Sequence, residues 1–219
     1  MIVPAVAAGA AGELDDLRTA CDEAVARLLV GSPDTICVTG SAAATAEHPF
    51  PYRASFAQWG VPVEAHLGSP LPDAPALPLS VAVGVWLLSR AGAAGCRVVT
   101  VAAEAAPEEC VQLGARLAHA GRVVLLVMGD GTACRDLKAP GYLDPRAEPF
   151  DATVAKALAD ADPAALLALD PMLADELMVA GRAPWQVLAG AVSAPMRGEV
   201  LYDAAPYGVQ YIVASWVAA

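Results

Sequence analysis

The sequence is short of basic charge, of histidine, of aromatic rings and of any apolar run long enough to cross a membrane. Its 13 Lys and Arg stand against 24 Asp and Glu, a net charge of −11. So acidic a chain repels phosphate backbones and anionic headgroups, which argues against nucleic acid or a membrane surface as partner. The longest nearly apolar stretch, Leu77 to Leu88, has the length of a core helix, below the roughly 18 residues of a span. The opening MIVPAVAAGA lacks a basic start and runs straight into Glu13, Asp15 and Asp16, so no signal peptide is expected. The 5 cysteines are odd in number and contain no CxxC pair. They read as reduced core thiols of a cytoplasmic protein rather than a disulfide framework. Neither GxGxxG nor GxxxxGK[ST] occurs, which leaves no standard nucleotide loop.

What is present is 57% apolar residues, supplied largely by Ala and Val, in a chain of 219 residues. That length fits one domain over residues 1–219, burying about 70% of its unfolded surface. Glu13 to Val30 carries an apolar stripe at helical spacing, with acids in its first turn and Gly31 as a stop. Asp34 to Thr39 reads as a strand, and Gly40 to Pro51 as a small-residue loop holding His48. Val61 to Leu67 alternates as a strand, and Ser69 to Pro78 is a Pro-rich connection. Leu79 to Ala91 is a nearly all-apolar helix stopped by Gly92, Arg97 to Ala102 a buried strand, and the helix opened by Pro107 ends at Gly121. This alternation predicts an α/β fold, a mostly parallel central sheet flanked by helices. After a turn-rich loop from Ala139 to Pro149, helices are expected over Phe150 to Ala161, Pro171 to Ala180 and Pro184 to Ala194. Strands Glu199 to Asp203 and Val209 to Trp216 close the chain as an antiparallel hairpin, making the sheet mixed.

The organising stretch is Arg122 to Lys138, RVVLLVMGDGTACRDLK. Val123 to Met128 is a strand apolar on both faces, expected at the centre of the sheet. It ends at Gly129 and Gly131, two positions that accept positive φ, around Asp130. Ligands of open α/β sheets bind beyond such strand ends. Asp130 is the candidate acid/base, the alternative being an Asx turn that holds the loop itself. Gly129, Gly131, Thr132, Arg135 and Lys138 form a candidate cradle for an anionic ligand. Cys134 as a nucleophile lacks a neighbouring base.

Four segments resemble the catalytic-subunit-like domain of class III extradiol ring-cleavage dioxygenases, the superfamily that also holds the LigB-like and Memo-like proteins. They are LLVMGDGTA (Leu125 to Ala133), YLDPRAEPFDATVAKALADADPAALLALD (Tyr142 to Asp170), VAGRAPWQVLAGAV (Val179 to Val192) and YDAAPYGVQYIVASW (Tyr202 to Trp216). The resemblance implies an α/β dioxygenase-like domain, a homo-oligomer, and in active members Fe(II) held by two His and a Glu. The residues here depart from that set. The opening MIVPAVAAGAAGELDD has no His-Pro-Pro segment. Gly40, Ser41 and Ala42 follow the strand where the second His belongs. Ala133 stands at the acid/base His position, and Arg182, Trp185 and Gln186 stand in the helix of the carboxylate. No metal ligand carries over, and no cofactor is assured; Fe(II) belongs here only if the family chemistry is retained.

Three histidines remain to be weighed. His48 is a displaced acid/base or an exposed loop residue; His66 pairs with Glu64 off an apolar face; His119 ends a helix, where its charge suits the dipole. The leading expectation is a metal-free or repurposed family member, a pseudoenzyme for the iron chemistry, that binds a small aromatic or anionic molecule. Asp130 and His48 would then do its acid/base work. An active dioxygenase with displaced ligands, a non-catalytic assembly subunit, and a phosphate-ligand protein using the GDGT loop are the other readings.

Overall fold

The computed structural model describes residues 2–69, 75–119 and 121–219. Residues 70–74 of the Pro-rich connection lie outside the described residues. A short helix, α1 (Pro4–Ala7), and a 3-10 turn (Ala8–Leu14) lead into α2 (Asp15–Leu29). Asp15 and Asp16 occupy the first turn of α2, as the dipole favours, and Gly31 leaves it at φ 78°. Strand β1 (Thr35–Ala42) continues three residues past its expected end. After it come β2 (Ala46–His48), β3 (Tyr52–Ser55), β4 (Glu64–Leu67) and α3 (Leu79–Arg90). Then follow β5 (Arg97–Ala102), α4 (Pro107–Ala118) and β6 (Val123–Met128).

These strands make a four-stranded sheet in the order β2-β5-β1-β6. β5 and β6 run parallel to β1 and β2 runs antiparallel to β5, so the sheet is mixed with a mostly parallel core. Two expectations change. The expected loop around His48 is partly an edge strand, because Ala46, Glu47 and His48 pair with Thr100, Val99 and Val98. Three residues with one apolar side chain carry no readable period. The second change concerns β6, which is the last strand of this sheet rather than its centre. Its continuous apolar run reflects cover on both faces, and cover says nothing about neighbours in the sheet plane. The expected strand from Val61 pairs only with β3, as a separate hairpin.

The chain then folds α5 (Ala147–Ala159), α6 (Pro163–Leu167), α7 (Pro171–Glu176) and α8 (Arg182–Ala191). Asp162 caps α6, accepting from the N–H groups of Ala164 and Ala165. The expected hairpin closes the chain as β7 (Met196–Ala204) and β8 (Tyr211–Ala218), a two-stranded sheet of its own.

Period-two alternation divides the core. Ile36, Val38, Val98, Leu126 and Met128 face α2 and α3, whose Leu17, Val25, Val81 and Val85 are buried with them. Cys37, Val99, Val101 and Leu125 face α4 and α8 across Cys110, Leu113 and Val187. A third cluster joins α5 to α8 and β8 through Phe150, Val154, Leu166, Leu177 and Trp185. Each large side chain so buried contributes about 2 kcal/mol. The parallel strands therefore all deliver their carboxyl ends to one edge, where the loop after β6 lies.

Candidate functional site

The loop after β6 contains two arrangements. The first is internal. The Thr132 N–H donates to Asp151 Oδ1 at 2.9 Å and its hydroxyl donates to Asp151 Oδ2 at 2.7 Å. Arg135 Nη1 donates to Asp151 Oδ2 at 3.1 Å and to Gln210 Oε1 at 2.9 Å, while Gln210 Nε2 donates to Asp203. Asp151 and Thr132 are buried. Every group here is satisfied by another, as burial in a low-dielectric interior demands. The side chains of Thr132 and Arg135, expected to hold an anionic ligand, are therefore occupied in fastening the loop to α5 and the closing hairpin. Lys138 is exposed, and only its N–H is engaged, with Asp136 at 2.8 Å.

The glycines of the loop serve space rather than backbone reversal. Neither Gly129 nor Gly131 has positive φ. A Cβ on Gly129 would lie 2.4 Å from Gly181 Cα, and one on Gly131 would lie 2.7 Å from Asp151 Oδ1. The Gly181 N–H donates to Asp130 O at 2.8 Å, so the turn into α8 is pinned against the end of β6.

The second arrangement is Asp130. Its carboxylate makes no hydrogen bond or ion pair with any described residue, and the residue is exposed. Yet protein fills most of the volume around it, and that desolvation raises its pKa to about 6. The Asp130 charge is felt at Tyr211 and at Cys21. Burial first, and the Asp130 charge after it, pushes the Tyr211 phenol well above its ordinary range. Burial, then Asp22 and Asp130, pushes the Cys21 thiol up to about 12. Neither residue was singled out by sequence as a site residue; each reads as packing, and only the tertiary fold brings it to Asp130.

His48 does not lie beside Asp130. It lies opposite Val98, which is level with Val38 and Leu126 across the sheet, and Asp130 is four residues beyond Leu126. Strand spacing and rise put the two roughly 20 Å apart. His48 Nε2 instead lies 3.2 Å from Thr100 Oγ1, and burial lowers its pKa. Because the Thr100 hydroxyl donates to Ala44 O, the imidazole N–H is the donor to it. His66 Nε2 pairs with Glu64 at 3.4 Å and His119 Nδ1 sits 2.5 Å from Ala115 O. Cys134 is buried, with its thiol directed at Leu177 O and its pKa raised by desolvation, a poor setting for a nucleophile.

The positions where the family resemblance places iron ligands do not fit Fe(II). Arg182 is buried at the end of β5, donating to Ala103 O and Ala105 O, both at 2.5 Å, and to Gln186 Oε1 at 3.1 Å. A guanidinium and an amide that is already bonded give no anionic ligand there. The Thr39 hydroxyl, one residue before Gly40, is buried with no hydrogen-bond partner among the described residues. Among the described residues, no three of His, Cys, Asp and Glu come together in a cluster that could hold a metal ion. Among those residues, too, no helix is long and apolar enough to cross a membrane. The chain matches no protein-family model, and no curated protein matches it.

Proposed function

We propose that this chain is a class III extradiol dioxygenase-like protein repurposed to bind a small molecule at Asp130 without the family's iron set. The observation that carries this reading is Asp130, an exposed residue whose carboxylate has no hydrogen bond or ion pair with any described residue, at the carboxyl edge of the mostly parallel sheet. A carboxylate whose pKa is raised toward 6 is a stronger base than an ordinary one and still ionised at neutral pH. It is suited to accept a hydrogen bond, or the proton, from an acidic hydroxyl such as a phenol. The engagement of Thr132 and Arg135 by Asp151 favours a neutral hydroxylated ligand over an anion. We place the protein in the cytoplasm as a homo-oligomer, with neither nucleic acid nor membrane as partner.

The test is a thermal-shift panel of phenols and catechols on the natural chain and on Asp130→Asn, with iron measured on untagged protein. A ligand that binds only the native state raises its stability. Stabilisation by a hydroxylated aromatic that disappears in Asp130→Asn is expected, with iron well below one per chain. One iron per chain would favour the active dioxygenase with displaced ligands. No stabilisation by any compound would favour the assembly-subunit reading, which the half-buried apolar strands β6 and β8 also support.

A further inference from the structure

Among the described residues, Arg116, Arg182 and Arg197 are the arginines that make no ion pair. Arg116 and Arg197 are exposed, so water screens their charge. Arg182 is only 4% exposed. Arg18, buried like it, has the Asp15 carboxylate at 2.5 Å. Arg182 has no such neighbour. Glu104 stands in the chain between its two carbonyl acceptors, yet is exposed and makes no bond or ion pair with any described residue.

What the guanidinium does touch is neutral. Nη1 donates to Ala105 O at 2.5 Å and to Gln186 Oε1 at 3.1 Å, and Nη2 donates to Ala103 O at 2.5 Å. Carbonyl and amide dipoles satisfy donors but leave the net charge in place. The helix adds to that cost. Arg182 is the first residue of α8, a helix of 10 residues whose positive end lies there. A cation at that position is disfavoured by burial and again by the dipole, and an anion beside it relieves both.

Two donors are also left over. A guanidinium carries five N–H groups. Two on Nη1 and one on Nη2 are engaged, so the Nε–H and one Nη2–H have no acceptor among the described residues. The Nε–H is not sealed in. Among those residues, the unpartnered polar side-chain atoms closed off from solvent are Thr39 Oγ1 and His66 Nδ1, and Arg182 Nε is not one of them. An acceptor can therefore reach it from outside. Thr39 lies on the same side of the sheet: by alternation it shares a face with Cys37, which clusters with Ala183 and Val187 of α8. Its enclosed hydroxyl is a further polar group on this face to which no described residue supplies a partner.

We propose that Arg182, at the start of α8, is the receptor for the carboxylate of a small molecule. A carboxylate supplies the missing negative charge together with two oxygens in one plane, which suit the Nε–H and the remaining Nη2–H. The narrow opening favours it over phosphate, which is bulkier and brings a second charge that this one cation leaves unmatched. The proposal goes beyond the reading of Asp130 and does not depend on it. Arg182 bonds to residues just after β5, whereas Asp130 follows β6, and β1 runs between those two strands.

The test follows the Arg182 Nε–H resonance by proton–nitrogen NMR on the full chain, at neutral pH and constant ionic strength. Sodium acetate is compared with sodium chloride, with inorganic phosphate and with acetamide, the neutral control. Acetate is expected to move the resonance along a saturating curve and, at ten times its Kd, to slow exchange of the Nε–H with water about tenfold. Chloride and acetamide should do neither. The absence of a saturating shift with acetate would overturn the proposal, as would an equal response to chloride or acetamide, or stronger protection by phosphate. Acetate should also raise the melting temperature of the natural chain above its value in equal chloride. Arg182→Lys keeps the charge without the planar donors and should lose most of that rise; a rise left unchanged would overturn the assignment. If that variant does not fold, the resonance of the natural chain decides alone.

Discussion

Asp151 and Asp130 both serve the loop that follows β6, and their surroundings are opposite. Asp151 is buried and accepts from the Thr132 N–H, the Thr132 hydroxyl and the Arg135 guanidinium. Asp130 reaches water and accepts nothing from any described side chain, while the protein crowded around it raises its pKa. The difference separates two uses of one residue type. A carboxylate that accepts several hydrogen bonds holds structure and has little capacity left for a ligand. A carboxylate crowded by protein and without a hydrogen-bond partner among the described residues retains that capacity, at a cost in stability.

The largest effect in this comparison belongs to Asp151. Asp151→Ala leaves Thr132 and Arg135 without their shared acceptor. It is expected to lower unfolding free energy by about 3 kcal/mol, read by urea denaturation. An effect under about 1 kcal/mol would mean that the network does not fasten the loop.

Next comes the close approach between the end of β6 and the turn into α8. Gly129→Ala puts a methyl group 2.4 Å from Gly181 Cα, and Gly181→Ala puts one 2.2 Å from the Trp185 ring. Each is expected to cost about 2 kcal/mol by overpacking. Gly129→Ala should also alter Asp130's titration, since it displaces that residue's own backbone.

Asp130→Asn should act in the other direction. The folded pKa of about 6 lies above the ordinary aspartate value of 3.8. The folded state therefore holds the proton more tightly than the unfolded chain. This group favours folding most below pH 4, loses that contribution as pH rises toward 6, and above 6 leaves a full penalty. Removing the charge at pH 7.5 is then stabilising, by about 1 kcal/mol once the screening due to its exposure is allowed for. The gain should vanish near pH 4. A loss of stability at pH 7.5 would show that the carboxylate has a structural partner.

The smallest effect is expected of His48→Ala. At roughly 20 Å, beyond a Debye length at physiological salt, it should move Asp130's titration midpoint by less than about 0.1 unit. A larger shift would place His48 beside Asp130 after all.

Much of the fold was legible because periodicity reports cover. Arg97–Ala102 and Val123–Met128 have the expected bounds, and Gly31, Gly92 and Gly121 follow helices as read, each with positive φ. Position within the sheet was not legible. The apolar run of β6 looks the same at an edge as at a centre when helices lie above and below it. The short strand holding His48 had too few residues to show a period. In the site, Asp130 stood out through its glycine neighbours, but the reason assigned to them changed from φ to space. Arg135 and Thr132 looked like free donors because their partner, Asp151, is distant in sequence and enters only when α5 packs against the loop. Tyr211 and Cys21 carried no signal at all, since each sits in a pattern that packing alone explains.

The most direct test of the central claim is the titration of Asp130 by carbon-13 NMR of its carboxyl resonance, assigned by comparison with Asp130→Asn. A single transition near pH 6 is expected, moving further when a hydroxylated aromatic binds. A transition near 4, indifferent to any such compound, would contradict the assignment of Asp130 as the protonatable group of a ligand site.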